Sequence, residues 1–264
     1  NYYTILLTKL ILLTIYLTDA VRETKVLEYS FGRKSLQRQN LDKAVCHIWE
    51  YGGKLDILKN VLIAIPMKCK TFFCIAVDLS KIKTIWYTLE TCIFTITESC
   101  KDSDFEIIFI GGKYDIFKNY DTEIKKVICT TIRSLALILQ AHVMFYSCKD
   151  PQLFKKAKEM LHNIGFGNGV PFKDKIINNS KPLMIPNNSD SWEYIGVPVS
   201  NIEQVKMRHI SRLQSESDLH SKIIDELKRS HPEPILDSLM SLKYQELRNM
   251  ELFESSIVDY LSIM

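Results

Sequence analysis

Phe105-Glu106-Ile107-Ile108-Phe109-Ile110-Gly111-Gly112-Lys113-Tyr114-Asp115 is the stretch whose reading decides the fold. From Phe105 to Gly111 it is a short aromatic and β-branched run closed by glycine, which reads as a strand. The run is apolar on both faces, so it belongs inside a sheet that is covered on both sides. Beyond the strand, Gly-Lys-x-Asp sets a lysine and a carboxylate close together at its carboxyl end.

Similar short runs lie on either side. Lys25–Tyr29, Ala44–Glu50, Thr71–Leu79 and His142–Ser147 also read as strands. Between them fall helical segments around Leu10–Leu17, Lys83–Ser99, Tyr120–Gln140 and Pro151–Ile164. In the third of these, Ile124, Val127, Ile128, Thr131, Ile132, Leu135 and Leu139 recur at the helical period, while Glu123, Lys125 and Lys126 take the other face. Continuous apolar strands alternating with amphipathic helices predict a doubly wound α/β domain with a mostly parallel sheet.

The two strand ends bearing polar residues carry a chemical hint. In small GTPases the strand corresponding to Phe105–Gly111 ends in Asn/Thr-Lys-x-Asp, where the Asp carboxylate accepts hydrogen bonds from the guanine edge and the Lys stem covers the base. Lys113 and Asp115 match that pattern, and Gly112 replaces the side chain that braces it. The strand His142–Ser147 runs into Ser147-Cys148-Lys149, which resembles the Ser-Ala-Lys element behind the base. Lys113, Asp115, Ser147 and Lys149 are therefore the candidate positions of a vestigial guanine site. The bland alternative is a solvated turn, since such charges are usually exposed.

The half that would handle phosphate is missing. A P-loop needs G-x-x-x-x-G-K-[ST], whose amides cradle phosphate and whose hydroxyl holds magnesium, and the chain contains no such segment. Thr8-Lys9-Leu10 falls where that loop could end, but no glycine precedes it. Where GTPases place D-x-x-G, the strand through Ala44–Glu50 leads into Glu50-Tyr51-Gly52-Gly53, with Glu50 for the Asp, and Lys54 and Leu55 follow in place of a water-orienting Gln. No catalytic residue, no metal ligand and no cofactor is expected. The fold class that follows is a P-loop NTPase-like, small-GTPase-like α/β domain with helices on both faces and a C-terminal helical extension. Because Asn1 stands where an initiator Met would be, the chain reads as N-terminally truncated, and its sheet would then lack the first strand and expose an edge. The competing reading is a small Ras-like GTPase whose P-loop lies outside this fragment.

Composition bounds the rest. With 264 residues at 46% hydrophobic, the chain can bury one sizeable core and carry a tail. Gly, Asn and Pro cluster after Gly165, which places the domain end near Ile185 and a loop and helical extension over 186–264, including an amphipathic Asn201–Ser230 and Leu236–Ile263. The mixed charges, net +3, give no nucleic-acid footprint. Seven cysteines, an odd count without a CxxC pair, fit free thiols in a reducing compartment and no zinc site. Tyr2–Leu17 is apolar but shorter than the ~20 residues of a span and carries Lys9, so a buried helix or strand is expected and membrane insertion is not. Trp49, Trp86 and Trp192 are expected to serve packing. The sequons at Asn178 and Asn187 are expected to serve as loop polarity.

Leu27-Glu28-Tyr29-Ser30-Phe31-Gly32-Arg33, Ile48-Trp49-Glu50-Tyr51-Gly52-Gly53, Val77-Asp78-Leu79-Ser80-Lys81 and Gly112-Lys113-Tyr114-Asp115 together resemble the dynein light intermediate chain family, in its cytoplasmic dynein 2 (ciliary) branch. Further matches lie in Lys126-Val127-Ile128-Cys129, Lys181-Pro182-Leu183, Ile195-Gly196-Val197-Pro198 and Lys243-Tyr244-Gln245-Glu246. The resemblance implies a non-catalytic subunit that binds the dynein 2 heavy-chain tail and other dynein 2 subunits. It also implies a role in retrograde intraflagellar transport and cilium assembly, with the chain located at cytoplasm, cytoskeleton, cilium and basal body. No nucleic-acid partner is implied.

Overall fold

The computed structural model describes residues 2–8, 24, 26–35, 43–66, 69–101, 103–167, 169–213, 235, 236, 238–243, 245 and 246. The strands are β1 (Tyr2–Thr8), β2 (Leu27–Ser35), β3 (Lys43–Tyr51), β4 (Lys70–Asp78), β5 (Phe105–Gly112), β6 (His142–Phe145) and β7 (Met184–Ile185). They form one sheet in the order β2-β3-β1-β4-β5-β6-β7. The pairs β3-β1, β1-β4, β4-β5 and β5-β6 are parallel, and the two outer strands, β2 and β7, are antiparallel to their neighbours.

This corrects one expectation. The sheet does not lack its first strand, because Tyr2–Thr8 is that strand and sits inside the sheet, between β3 and β4. Periodicity alone does not separate a fully buried strand from a buried helix in so short an apolar run. The flanking ladders decide it here. The helix expected over Leu10–Leu17 lies outside the described residues.

The helices are α1 (Leu58–Ala64), α2 (Ile85–Ser99), α3 (Tyr114–Phe117), α4 (Thr122–Ile138), α5 (Pro151–Phe166), α6 (Trp192–Ile195) and α7 (Ile202–Ile210). Strand alternation divides the core into two layers. Phe73, Ile75 and Val77 of β4 and Ile107 and Phe109 of β5 pack with Leu58 and Leu62 of α1, Trp86 and Leu89 of α2, and Ile128 and Ile132 of α4. The alternate residues, Phe72, Cys74, Ala76, Ile108 and Ile110, pack with Ala157, Met160 and Ile164 of α5 on the other face. Each of the larger aliphatic and phenylalanine side chains among these contributes about 1.5–3 kcal/mol on burial, which is why the central strands tolerate no polar face. The helix starts are written in the sequence. Asp121 caps α4 by accepting from the Glu123 amide, and Asp150 caps α5 with Pro151 in the first turn.

The first compact unit runs from Asn1 to Ser215 and the second from Glu216 to Met264, so the fold continues past the boundary expected near Ile185. Loop chemistry after Gly165 marks turns inside the domain rather than its end. The segment is bound back by Arg133 of α4, whose Nε and Nη2 donate to both Asp190 oxygens at 2.7 and 2.8 Å, with both side chains buried. Farther on, α7 opens with a capping box between Asn201 and Gln204. It buries Val205 and His209. Thr131 Oγ1 donates to the Val127 carbonyl and sits 3.0 Å from His209 Nδ1, which is therefore the donor to it. Burial lowers His209 to about 4, so the ring is neutral. Of the helix expected over Asn201–Ser230, α7 is the described part. In the second unit, the described residues between 235 and 246 are helical.

All seven cysteines are free. Burial pushes the Cys46 and Cys129 thiols up to about 12, which makes them inert apolar fillers. Among the described residues no helix is long and apolar enough to cross a membrane.

Candidate functional site

The four residues singled out from the sequence come together where β5 and β6 end. At the end of β5, Lys113 takes a left-handed conformation, with φ 59° and ψ 40°, and turns the chain directly into α3. The two strand ends are laced together, since Tyr146 N donates to the Gly111 carbonyl at 2.7 Å and Tyr114 N donates to the Tyr146 carbonyl at 3.0 Å. Gly111 permits this approach, because a Cβ there would stand 2.6 Å from the Phe145 ring.

That lacing carries Asp115 to Ser147. The Ser147 hydroxyl, almost fully buried, donates to Asp115 Oδ1 at 2.7 Å, and the Lys149 ammonium lies 3.2 Å from Oδ2. Lys149 N in turn donates to Ser147 Oγ at 3.2 Å. The Ser147 hydrogen bond first, and Lys149 after it, hold the Asp115 carboxyl below its ordinary value. Each carboxylate oxygen keeps a second lone pair, so Asp115 is an ionised acceptor at a solvent-facing rim.

Lys113 is held by a residue to which sequence reading assigned no role in the site. Its ammonium lies 2.7 Å from Oδ2 of Asp78, at the end of β4, and Asp78 Oδ1 accepts from the Ser80 amide at 3.0 Å and hydroxyl at 2.6 Å. Burial alone would raise Asp78, but Lys113 and Ser80 outweigh it and keep the carboxyl low. Leu79 N donates to the Gly112 carbonyl, and the Tyr120 hydroxyl donates to the Ser80 carbonyl. The available signal was Val77-Asp78-Leu79-Ser80, a strand end one position over in the sheet. Its role appears only once β4 and β5 are known to be neighbours.

Across the same sheet edge, the ends of β1 and β3 look different. Glu50 is only 5% exposed, and among the described residues its Oε2 has no hydrogen-bond partner within normal geometry. Burial, then Glu28 directly opposite on β2, push its carboxyl up to about 7. Gly52 N donates to the Val26 carbonyl, and a Cβ on Gly52 would lie 1.7 Å from the Thr24 carbonyl oxygen. The Tyr51 hydroxyl donates to the Lys54 carbonyl. Chain from within the protein thus occupies the neighbourhood of the paired glycines. No glycine occurs before Gly32, so the segment that follows β1 has none of the residues that let backbone amides close on a phosphate. Among the described residues no group of three or more His, Cys, Asp or Glu could hold a metal ion.

No family model matches the chain. Mouse cytoplasmic dynein 2 light intermediate chain 1 is 31% identical over 252 residues, covering 79% of this chain and 69% of that protein. The chain belongs to the cytoplasmic dynein 2 light intermediate chain family. The zebrafish (Danio rerio) family member is 29% identical over 282 residues, 87% of this chain and 77% of its own, and the human one is 29% identical over 265 residues, 84% and 72%. Among solved structures, the crystal structure of the dynein light intermediate chain's conserved domain aligns with TM-score 0.55 and 14% identity over 77% of this chain and 88% of that one. That level of likeness speaks to the fold, and the light intermediate chain family is thereby matched in both sequence and architecture.

Proposed function

We propose that this chain is a non-catalytic light intermediate chain subunit of the cytoplasmic dynein 2 motor complex, built on a degenerate P-loop NTPase-like domain. In this role it binds the heavy-chain tail and other dynein 2 subunits. It supports retrograde intraflagellar transport and cilium assembly, acting at the cilium and basal body. The observation that carries the reading is the kinship at about 30% identity across most of the chain to proteins of that name. The divided sheet edge agrees with it, because a protein that acts by binding has no use for a phosphate cradle.

The reading as a Ras-like GTPase with its P-loop outside the fragment is disfavoured by strand order. A P-loop joins the first strand to the following helix, and here that strand is Tyr2–Thr8, so the loop would begin at Lys9. The residues that follow are Leu10, Ile11, Leu12, Leu13 and Thr14, which offer neither glycines nor the Gly-Lys-Ser/Thr end.

The test is affinity capture of the tagged protein from ciliated cells. Recovery of the dynein 2 heavy chain is the expected result, and its consistent absence, with the bait folded and expressed, would reject the assignment.

A further inference from the structure

The end strand β2 offers an outward edge and an uncovered aromatic face. Among the described residues its nine positions pair with β3 alone, and Phe31 is 61% and Tyr29 47% exposed. Tyr29 lies 6.2 Å from Phe31, 6.0 Å from His47 and 4.6 Å from Trp49, ring centre to ring centre, so the rings cluster about Tyr29 across both strands, with Tyr29 and Phe31 exposed and His47 and Trp49 half-buried. An end strand of this length presents backbone N–H and C=O groups with which another strand can pair, and its charges limit which strand can do so.

The sequence of β2 specifies which strand. In an antiparallel pair, residues directly opposite share a face, and a two-fold axis perpendicular to the sheet sets one residue against itself. With the axis at Phe31, Glu28 faces Lys34 of a second copy, Tyr29 faces Arg33, Ser30 faces Gly32, and Phe31 faces Phe31. Symmetry repeats each unlike pair, giving two carboxylate-ammonium pairs and two guanidinium-aromatic pairs around one ring contact. Moving the axis by one residue either way loses this match, since Glu28 then faces Gly32, or Lys34 faces Ser30. Both charges are exposed. Lys34 Nζ has one partner in His162 at 3.3 Å, and its ammonium has further donors to give.

We propose that β2 is a self-association edge, on which a second copy of this chain pairs antiparallel about Phe31 to join two sheets into one. The partner surface is a copy of itself, so the interface is isologous and closed. This reading goes beyond membership of the motor complex and does not depend on it.

The test is the molar mass of the full chain by light scattering across a concentration series. The expected mass climbs from 30.7 kDa towards twice that value. Glu28→Lys and Lys34→Glu, each turning two attractive pairs into repulsive ones, should each weaken the dimer about tenfold. The double variant Glu28→Lys/Lys34→Glu restores opposite charges and should recover it, and Phe31→Asp should leave a monomer. Circular dichroism on each variant confirms an intact fold, and Glu28→Gln with Lys34→Gln gives a milder arm if a charge reversal unfolds the strand. A wild-type chain that stays monomeric throughout, or a double variant no better than the two single ones, overturns the proposal.

Discussion

The carboxyl ends of β5 and β6 and those of β1 and β3 share one edge of one sheet, yet they solve opposite problems. On the first side every charge has an internal counterpart, Lys113 with Asp78 and Asp115 with Ser147 and Lys149. On the second, a carboxyl is buried beside another carboxyl on the next strand, and glycine packs against neighbouring backbone. The lesson is that polar side chains at a strand end can hold neighbouring strands together through pairs made within the protein.

The comparison can be broken most forcefully at Gly52. Gly52→Ala would drive a methyl group into the Thr24 carbonyl and should cost about 3 kcal/mol or more in chemical denaturation. If it costs nothing, the chain does not close over this side.

Glu50→Gln sharpens the contrast through pH. The folded carboxyl titrates near 7, against an ordinary 4.5. Between those values the folded state binds more protons than the unfolded one, so wild-type stability falls as pH rises through that window. The variant has no such proton to lose. Above neutrality it should be more stable by about 3 kcal/mol, with the advantage fading towards pH 4.5. A pH-independent difference would contradict the buried, half-protonated carboxyl.

On the other side the effects are smaller and of opposite sign. Ser147→Ala removes the hydroxyl that donates to Asp115 and should destabilise by about 1 kcal/mol. Because Asp115 titrates below its ordinary value, it contributes stability that is present above the ordinary carboxylate range and is lost as the pH falls through the folded value. The Ser147→Ala deficit should therefore shrink in acid. Lys149→Ala, whose side chain is 74% exposed, should change the unfolding midpoint least, by less than about 0.5 kcal/mol.

How much of this was legible in advance follows from where each element gets its stability. β4 and β5 announce themselves because runs such as Phe72–Val77 and Ile107–Ile110 are apolar on both faces, and α4 because its polar and apolar residues separate cleanly. The pairing of Asp115 with Ser147 could be anticipated, since each sits just past a readable strand and the order of motifs is preserved. Three things could not. The strand Tyr2–Thr8 has no periodicity of its own and is defined by β3 and β4 on either side. Asp78 acquires its role from a neighbour 35 residues away, a distance no local pattern spans. Finally, Arg133 and Asp190 look like ordinary surface charges in sequence, and only the packed structure shows that together they tie the segment after β7 to α4.

The most direct test of the divided edge is a calorimetric titration of the chain with GTP beside guanosine. Because the sequence carries no G-x-x-x-x-G-K-[ST] segment and no glycine before Gly32, GTP should bind no more tightly than about millimolar and gain nothing from its phosphates or from added Mg²⁺. A micromolar, magnesium-dependent signal for GTP that guanosine does not share would contradict the account.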